Sequence, residues 1–213
     1  MEIMLAREFM KKIMTSEQRH YMMNMITYNI SPTLKGAKPA TLITLSNNNK
    51  GLYEAWLKYG KEYLETVGIE AFELVHSADT VIILFYYKEI LDNHLNKNEN
   101  KSFLNSLGYD LHMTLHEKLN LLRQRYVKYQ CPHEIGLFLG IPLKDVLGFL
   151  RWQGRECLAC GYWKVYENKE RALNTFKSYD SCKAEFAKLY LEGVDLWSSV
   201  RYINLTTDKT EFL

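Results

Sequence analysis

The chain has 213 residues, a length within reach of one compact domain and short for two. Hydrophobic residues make up 47% and charged residues 24%, enough apolar material for a real core, while a net charge of +2 is too small to argue for duplex DNA or an anionic membrane surface as the main partner. Four cysteines, Cys131, Cys157, Cys160 and Cys182, are too sparse for a secreted disulfide scaffold and fit a reducing compartment.

In chain order, Leu5, Phe9, Ile13 and Met14 share one face of an opening helix that the spacing carries to about Tyr28. Glu2, Arg7, Glu8, Lys11 and Lys12 interrupt any signal-peptide core. The longest apolar run, Val81 to Tyr87, has strand length and falls far short of the roughly 20 residues that span a bilayer. No membrane partner is expected, and the cytoplasm is the expected location. Ser31-Pro32 and Lys38-Pro39 predict a loop around Gly36, because a residue before Pro is pushed out of the α region. Thr41 to Leu45 predicts a strand, closed by a turn at Asn47 to Gly51, and Leu52 to Val67 a helix ended by Gly68. Ala71 to His76 and Thr80 to Tyr87, three residues apart, predict a hairpin.

Polar residues from Asn93 to Lys101 predict a solvated connection. Leu111, Leu115, Leu119, Leu122 and Tyr126 then mark an amphipathic helix through Tyr129. Two short helices follow, each opened by a proline, at Pro132 to Leu139 and Pro142 to Trp152. Gly161 to Glu167 predicts a strand, Asn168 a helix cap, and the helices beyond it run to about Leu191 with a break near Asp180. The tail after Thr206 reads as frayed. The sum is a single domain over residues 1–213, of the α+β class: a small sheet of about four strands, including the hairpin, surrounded by many helices.

Residues 132–152 have the outline of a helix-turn-helix, with Gly136 and Gly140 where helices cross or turn and Ile135, Leu139, Ile141, Val146 and Phe149 around them. A DNA reader also needs a basic outer face on its second helix. That face here offers Leu143, Lys144, Asp145, Leu147 and Gly148, so a nucleic-acid partner is not expected. Cys157-Leu-Ala-Cys160-Gly161 has the form of a zinc knuckle, which His133 or Cys131 would complete, with Cys182 a further candidate. The plainer reading is free thiols acting as small hydrophobes. A redox pair should begin a helix, and a strand is expected to follow. His112 and His116 lie one turn apart beside Glu117, at a spacing that clamps a metal but also suits the polar border of the leucine stripe. No nucleophile elbow, phosphate loop or dinucleotide turn is present, so the residues name no cofactor and no metal is assigned.

Three stretches, Ser31-Pro-Thr-Leu-Lys-Gly-Ala-Lys38-Pro39-Ala-Thr-Leu, Pro132-His133-Glu134-Ile135-Gly136-Leu-Phe-Leu139-Gly140 and Gly161-Tyr-Trp163-Lys164-Val165-Tyr166, together resemble a family of bacterial proteins, mainly of anaerobes, that is defined by a domain of unknown function. The resemblance covers nearly the whole chain and implies a stand-alone cytoplasmic domain without an assigned reaction. Within these motifs Lys38, His133, Glu134 and Lys164 are polar groups set among Gly, Pro and aromatic neighbours. Strand alternation puts Tyr162, Lys164 and Tyr166 on one face and Trp163 with Val165 on the other. The candidate ligand-binding set is therefore Lys38, His133, Glu134, Trp163, Lys164 and Tyr166. It supports a non-catalytic module for a small anionic ligand or a protein partner. A metal-dependent or redox enzyme built on Cys131, His133, Cys157 and Cys160 is the rival, and a DNA-binding helix-turn-helix the third reading. The first requires Lys38, His133, Glu134 and Lys164 to meet in one hollow; otherwise Glu134 caps its own helix and Lys164 is solvated.

Overall fold

A computed structural model describes residues 2–151 and 156–205. Its first two helices are α1 (Glu2–Ile13) and α2 (Gln18–Leu34), in place of the single helix expected. The break follows from Thr15 and Ser16, whose hydroxyls donate to the carbonyls of Lys12 and Ile13 at 2.8 and 2.7 Å and so end the first helix locally. Pro32, expected to stop the chain, sits inside the last turn of α2. There its missing N–H forgoes only the bond to the carbonyl one turn back, a loss that buried packing along α2 absorbs.

Strand β1 (Ala40–Ser46), helix α3 (Leu52–Val67) and the hairpin β2 (Glu70–His76) with β3 (Thr80–Tyr86) lie where the periodicity put them. The three strands form an antiparallel sheet in the order β1-β3-β2. Val81, Ile83 and Phe85 of β3 point to one face and Ile82, Leu84 and Tyr86 to the other, each into its own core. An unbroken apolar run is what a strand covered on both faces requires. On one side α1, α2 and α3 pack around Phe9, Met22, Ile26, Tyr63 and Trp56. A register shift between Glu73 and Val75 turns Leu74 and Val75 to the opposite face together.

That second face is covered by α4 (Lys88–Leu95), α5 (Asn98–Ser106), α6 (Leu115–Tyr129), α7 (Ile135–Phe138) and α8 (Leu143–Arg151). Helices α4 and α5 replace the solvated connection expected over 93–101, because Leu91, Leu95 and Leu104 give the polar stretch a buried edge. Asn100 is buried with them, its amide donating to the His94 carbonyl at 2.9 Å. Helix α6 starts at Leu115, after a reciprocal cap in which Thr114 and Glu117 bond each other's backbone amides. His112 therefore stands outside the helix, and no His112/His116 face exists.

The strand expected over 161–167 is much shorter. Only Ala159–Cys160 (β4) and Lys164–Val165 (β5) pair, as a separate two-stranded sheet, so the expected four-stranded sheet is a three-stranded one plus this ribbon. Asn168 caps α9 (Lys169–Leu191) by accepting the Arg171 amide at 3.2 Å. The helix is continuous through Asp180, where a break was expected. Its 23 residues reach about 34 Å, from the ribbon, where Phe176 and Ala172 cover Val165, to the first core, where Phe186 and Ala187 are buried. Helix α10 (Leu196–Leu205) completes that layer. Trp152 and the tail beyond 205 lie outside the described residues. The protein is thus α+β, and no helix of the described residues is long and apolar enough to cross a membrane.

Candidate functional site

Folding brings the three motif stretches to one junction, held by glycines that permit close approach. A Cβ on Gly140, whose φ is +79°, would meet Pro39 Cδ at 2.6 Å; one on Gly148 would meet Tyr166 Cβ at 2.7 Å. Between these contacts sits Asp145, buried although the sequence placed it on an outer helix face. Its carboxylate accepts the Trp163 indole N–H at 2.8 Å and the amides of Tyr166 and Glu167 at 2.7 and 3.0 Å. Two amides committed to a side chain are lost to strand pairing, which explains why β5 is so short. Gly148 is buried as well, so the expected outer face of α8 is in large part an inner one. Of its charges, Lys144 is paired with Glu167 at 2.6 Å.

The candidate residues separate at this junction. Glu134 turns inward, forms an ion pair with Arg125 and accepts the Tyr109 hydroxyl at 3.3 Å. It raises the Arg125 pKa through that bond, and burial with this carboxylate pushes the Tyr109 hydroxyl up. His133 and Lys164 are exposed and flank the Phe149 ring, with centroid distances of 5.7 and 5.9 Å. Trp163 stacks edge-on against Phe176 at 4.5 Å, and Tyr166 packs on Gly148. Lys38 is in neither group, so the hollow that Lys38, His133, Glu134 and Lys164 were expected to share does not form.

Lys38 follows a tight turn in which Gly36 has φ +68° and the Lys38 amide bonds the Pro32 carbonyl at 3.1 Å. Its ammonium lies 5.8 Å from the centre of the Tyr179 ring, on α9. One helical turn along, Lys183 lies 4.9 Å from the Tyr162 ring and 5.7 Å from Tyr28. Tyr162 meets Tyr179 edge-on at 5.1 Å and donates its hydroxyl to Asp180 at 2.7 Å. Lys38 and Lys183 thus lie against a cluster of three tyrosines, Tyr28, Tyr162 and Tyr179. Burial, reinforced by the charge of Lys183, lowers the Lys38 pKa to about 8. Burial also lowers Lys183, against the pull of Asp180. Nearby Lys35 is already paired with Glu185. Among the described residues no carboxylate pairs with Lys38.

Lys183, Tyr28 and Tyr179 were not singled out from the sequence. Tyr179 and Lys183 are four apart, which a helical reading of 169–191 could have placed on one face, but α9 carries several other lysines and the discriminating signal is tertiary. A groove of about 1030 Å³ between the α4–α5 corner and α8 with α9 takes in only Trp163 from the candidate set. Its charges are mixed, with Lys97, Lys144 and Arg171 facing Glu99, Glu167 and Glu170. His94 borders it, and burial, aided by Lys97, lowers its pKa to about 4.

The cysteines are all free. Cys131 and Cys160 are exposed, Cys157 half-buried, and Cys182 buried with its thiol pushed up to about 11, first by burial. Cys160 lies in β4, not at a helix start. Among the described residues no three His, Cys, Asp or Glu side chains are grouped to hold a metal ion.

The chain is an α+β protein with a three-stranded sheet covered on both faces. Residues 26–198 match the family described as Protein of unknown function (DUF3793), and the chain belongs to it. No curated protein and no solved structure matches the chain.

Proposed function

We propose that the chain is a non-catalytic module that binds a small anionic ligand beside Lys38 and Lys183, against the cluster of Tyr28, Tyr162 and Tyr179. The observation that carries this reading is Lys38, half-buried over the Tyr179 ring and near Lys183, with no carboxylate of the described residues paired to it. Burying a charge without a partner is costly, and a bound anion removes that cost. Asp180 offsets one of the two lysines, which leaves one positive charge in excess and fits a monoanion. The tyrosine rings favour a planar or aromatic carboxylate, since they supply apolar contact around the cations. Four free thiols support a reducing, cytoplasmic setting for this binding.

Calorimetric titration with benzoate tests the reading. Saturable binding at pH 7 is expected, weakening as pH rises through about 8 because Lys38 then loses its proton. Lys38→Met should abolish it and Lys183→Met weaken it. A folded wild-type protein that binds neither benzoate nor inorganic phosphate at millimolar concentration would overturn the proposal.

A further inference from the structure

We propose that His76 is a proton-operated clasp between the β2–β3 turn and α3. With a proton on its Nε2 the turn is fastened to the helix through Tyr53, and without one the Tyr53 hydroxyl is drawn off the turn. The clasp shares no residue with the anion site and stands apart from that reading.

Its basis is a continuous chain of hydrogen bonds. The Trp56 indole N–H donates to Glu73 Oε1 at 3.1 Å, and Glu73 Oε2 lies 3.0 Å from His76 Nδ1. His76 Nε2 lies 2.9 Å from the Tyr53 hydroxyl, which donates to the Ser77 carbonyl at 3.0 Å. Tyr53 and Trp56 are three residues apart on one side of α3. Glu73 and His76 are also three apart, but on β2, where regular alternation would point them to opposite faces. The register shift between Glu73 and Val75 brings them to the same side. Ser77 opens the turn, and its amide donates to the Thr80 carbonyl at 2.8 Å. Tyr53 and Trp56 are buried, whereas the His76 and Glu73 side chains are 46% and 41% exposed. Solvent therefore reaches the ring that links a buried helix face to the turn.

Counting hydrogens shows what the chain requires. A carboxylate only accepts, so Nδ1 must carry a hydrogen, and a neutral ring then presents Nε2 as a lone pair. The Tyr53 hydroxyl has one hydrogen to give. Nε2 and the Ser77 carbonyl then compete for it, and one bond of the chain is lost. A proton on Nε2 ends the competition: the ring donates to the Tyr53 oxygen, the hydroxyl donates to Ser77, and all four bonds stand together. The charged and titratable groups around the ring come from four elements. They are Glu73 on its own strand, Tyr53 and its neighbour Glu54 on α3, Asp79 in the turn, and Arg123 on α6, which shares a shallow concavity with His76. Glu54 is engaged by the Asn47 amide at 3.4 Å, Asp79 by the Ser77 and Thr80 hydroxyls at 3.4 and 3.0 Å, and Arg123 by Asn120 at 2.8 Å. Among the described residues the ring itself bonds Glu73 and Tyr53, so its change of charge passes along this chain.

NMR titration of the intact, ¹⁵N-labelled protein tests the clasp over about pH 5 to 8, where histidines change charge. The Ala78 nitrogen shares its peptide group with the Ser77 carbonyl and reports the hydrogen bond which that carbonyl accepts. Its shift should titrate with the midpoint of the His76 ring. Protection of the Ser77 amide, corrected for intrinsic exchange, should fall about two- to fivefold as the ring loses its proton, the weight of one net hydrogen bond. Tyr53→Phe keeps the aromatic ring and removes the hydrogen, so the Ala78 response should vanish while His76 still titrates. Asp79→Asn should leave the response in place. An Ala78 shift that does not follow His76 in the wild type, or that survives in Tyr53→Phe, would overturn the clasp. The wild-type titration needs no variant and decides the matter even where Tyr53→Phe folds poorly.

Discussion

Two clusters in this protein withdraw a charged side chain from water, and they resolve the cost in opposite ways. Glu134 is buried, yet Arg125 lies against it and Tyr109 donates to the same oxygen. Lys38 is half-buried over Tyr179, and what stands near it is Lys183, a like charge. The first cluster is electrostatically complete within the chain. The second has no counter-charge at Lys38 among the described residues, which is the gap the proposed anion would fill. Both Glu134 and Lys38 belong to motif stretches, so membership in a motif does not tell a buried charge with a partner from one without.

Breaking the complete cluster should produce the largest effect. Glu134→Gln leaves the Arg125 guanidinium, about four-fifths buried, without its counter-charge, which should cost about 3 kcal/mol once discounted for partial exposure. For a chain of this size that corresponds to a fall of roughly 6–12 °C in Tm, measurable by calorimetry. Benzoate binding in the folded fraction should persist. A variant as stable as wild type would show that the pair contributes nothing and erase the contrast. Asp145→Ala comes next, since it leaves the Trp163 indole and the Tyr166 and Glu167 amides without their acceptor. A cost of about 2–3 kcal/mol is expected, read as a lower denaturant midpoint. Hydrogen exchange at the amides of 166 and 167 should accelerate more than exchange in β3.

The incomplete cluster should respond with the opposite sign. Lys38→Met deletes a costly charge and keeps the apolar stem, so the unliganded protein should gain about 1–2 kcal/mol at pH 7. The pH dependence fixes the cause. The unfolded lysine holds its proton to about 10.5 and the folded one only to about 8. Between those values the unfolded state binds more protons, and wild-type stability rises with pH through this group. The advantage of Lys38→Met should therefore be greatest below pH 8 and shrink toward pH 10. Taking the difference between the two proteins cancels the buried tyrosines, which pull the other way above pH 10. A constant difference across that window would mean that Lys38 is solvated.

Much of the architecture was legible because it follows from local pattern. Val81 to Tyr86 is apolar at every position, which only a strand covered on both faces explains, and Gly68 ends α3 in the left-handed conformation its lack of a side chain permits. What escaped was decided by distant partners. Ser31-Pro32 reads as a helix stop, yet α2 continues because its last turn is buried. Asp145 reads as a surface acid, yet its donors lie 18 to 22 residues away. The proposed site was legible only in part: Lys38 stands in a motif stretch, but nothing in the sequence distinguishes Lys183 from Lys177 or Lys188 on the same helix. Their difference is the tyrosines that α2 and the ribbon bring alongside, a property of packing alone.

The smallest expected effect is the sharpest check on which motif lysine matters. Lys164 shares its stretch with Trp163, has the same charge as Lys38, and lies at a comparable distance from an aromatic ring, 5.9 Å from Phe149 against 5.8 Å from Tyr179. Ring proximity therefore cannot be what makes a site. Lys164 is exposed, and water already satisfies its charge, so a cation over a ring there is worth at most about 0.5–1 kcal/mol. Lys164→Ala should shift stability by less than that, as surface substitutions do, and leave benzoate affinity within a factor of two. If Lys164→Ala abolished binding while Lys38→Met did not, the anion would belong beside Phe149 and His133, and desolvation of Lys38 would be no more than a by-product of the turn at Gly36.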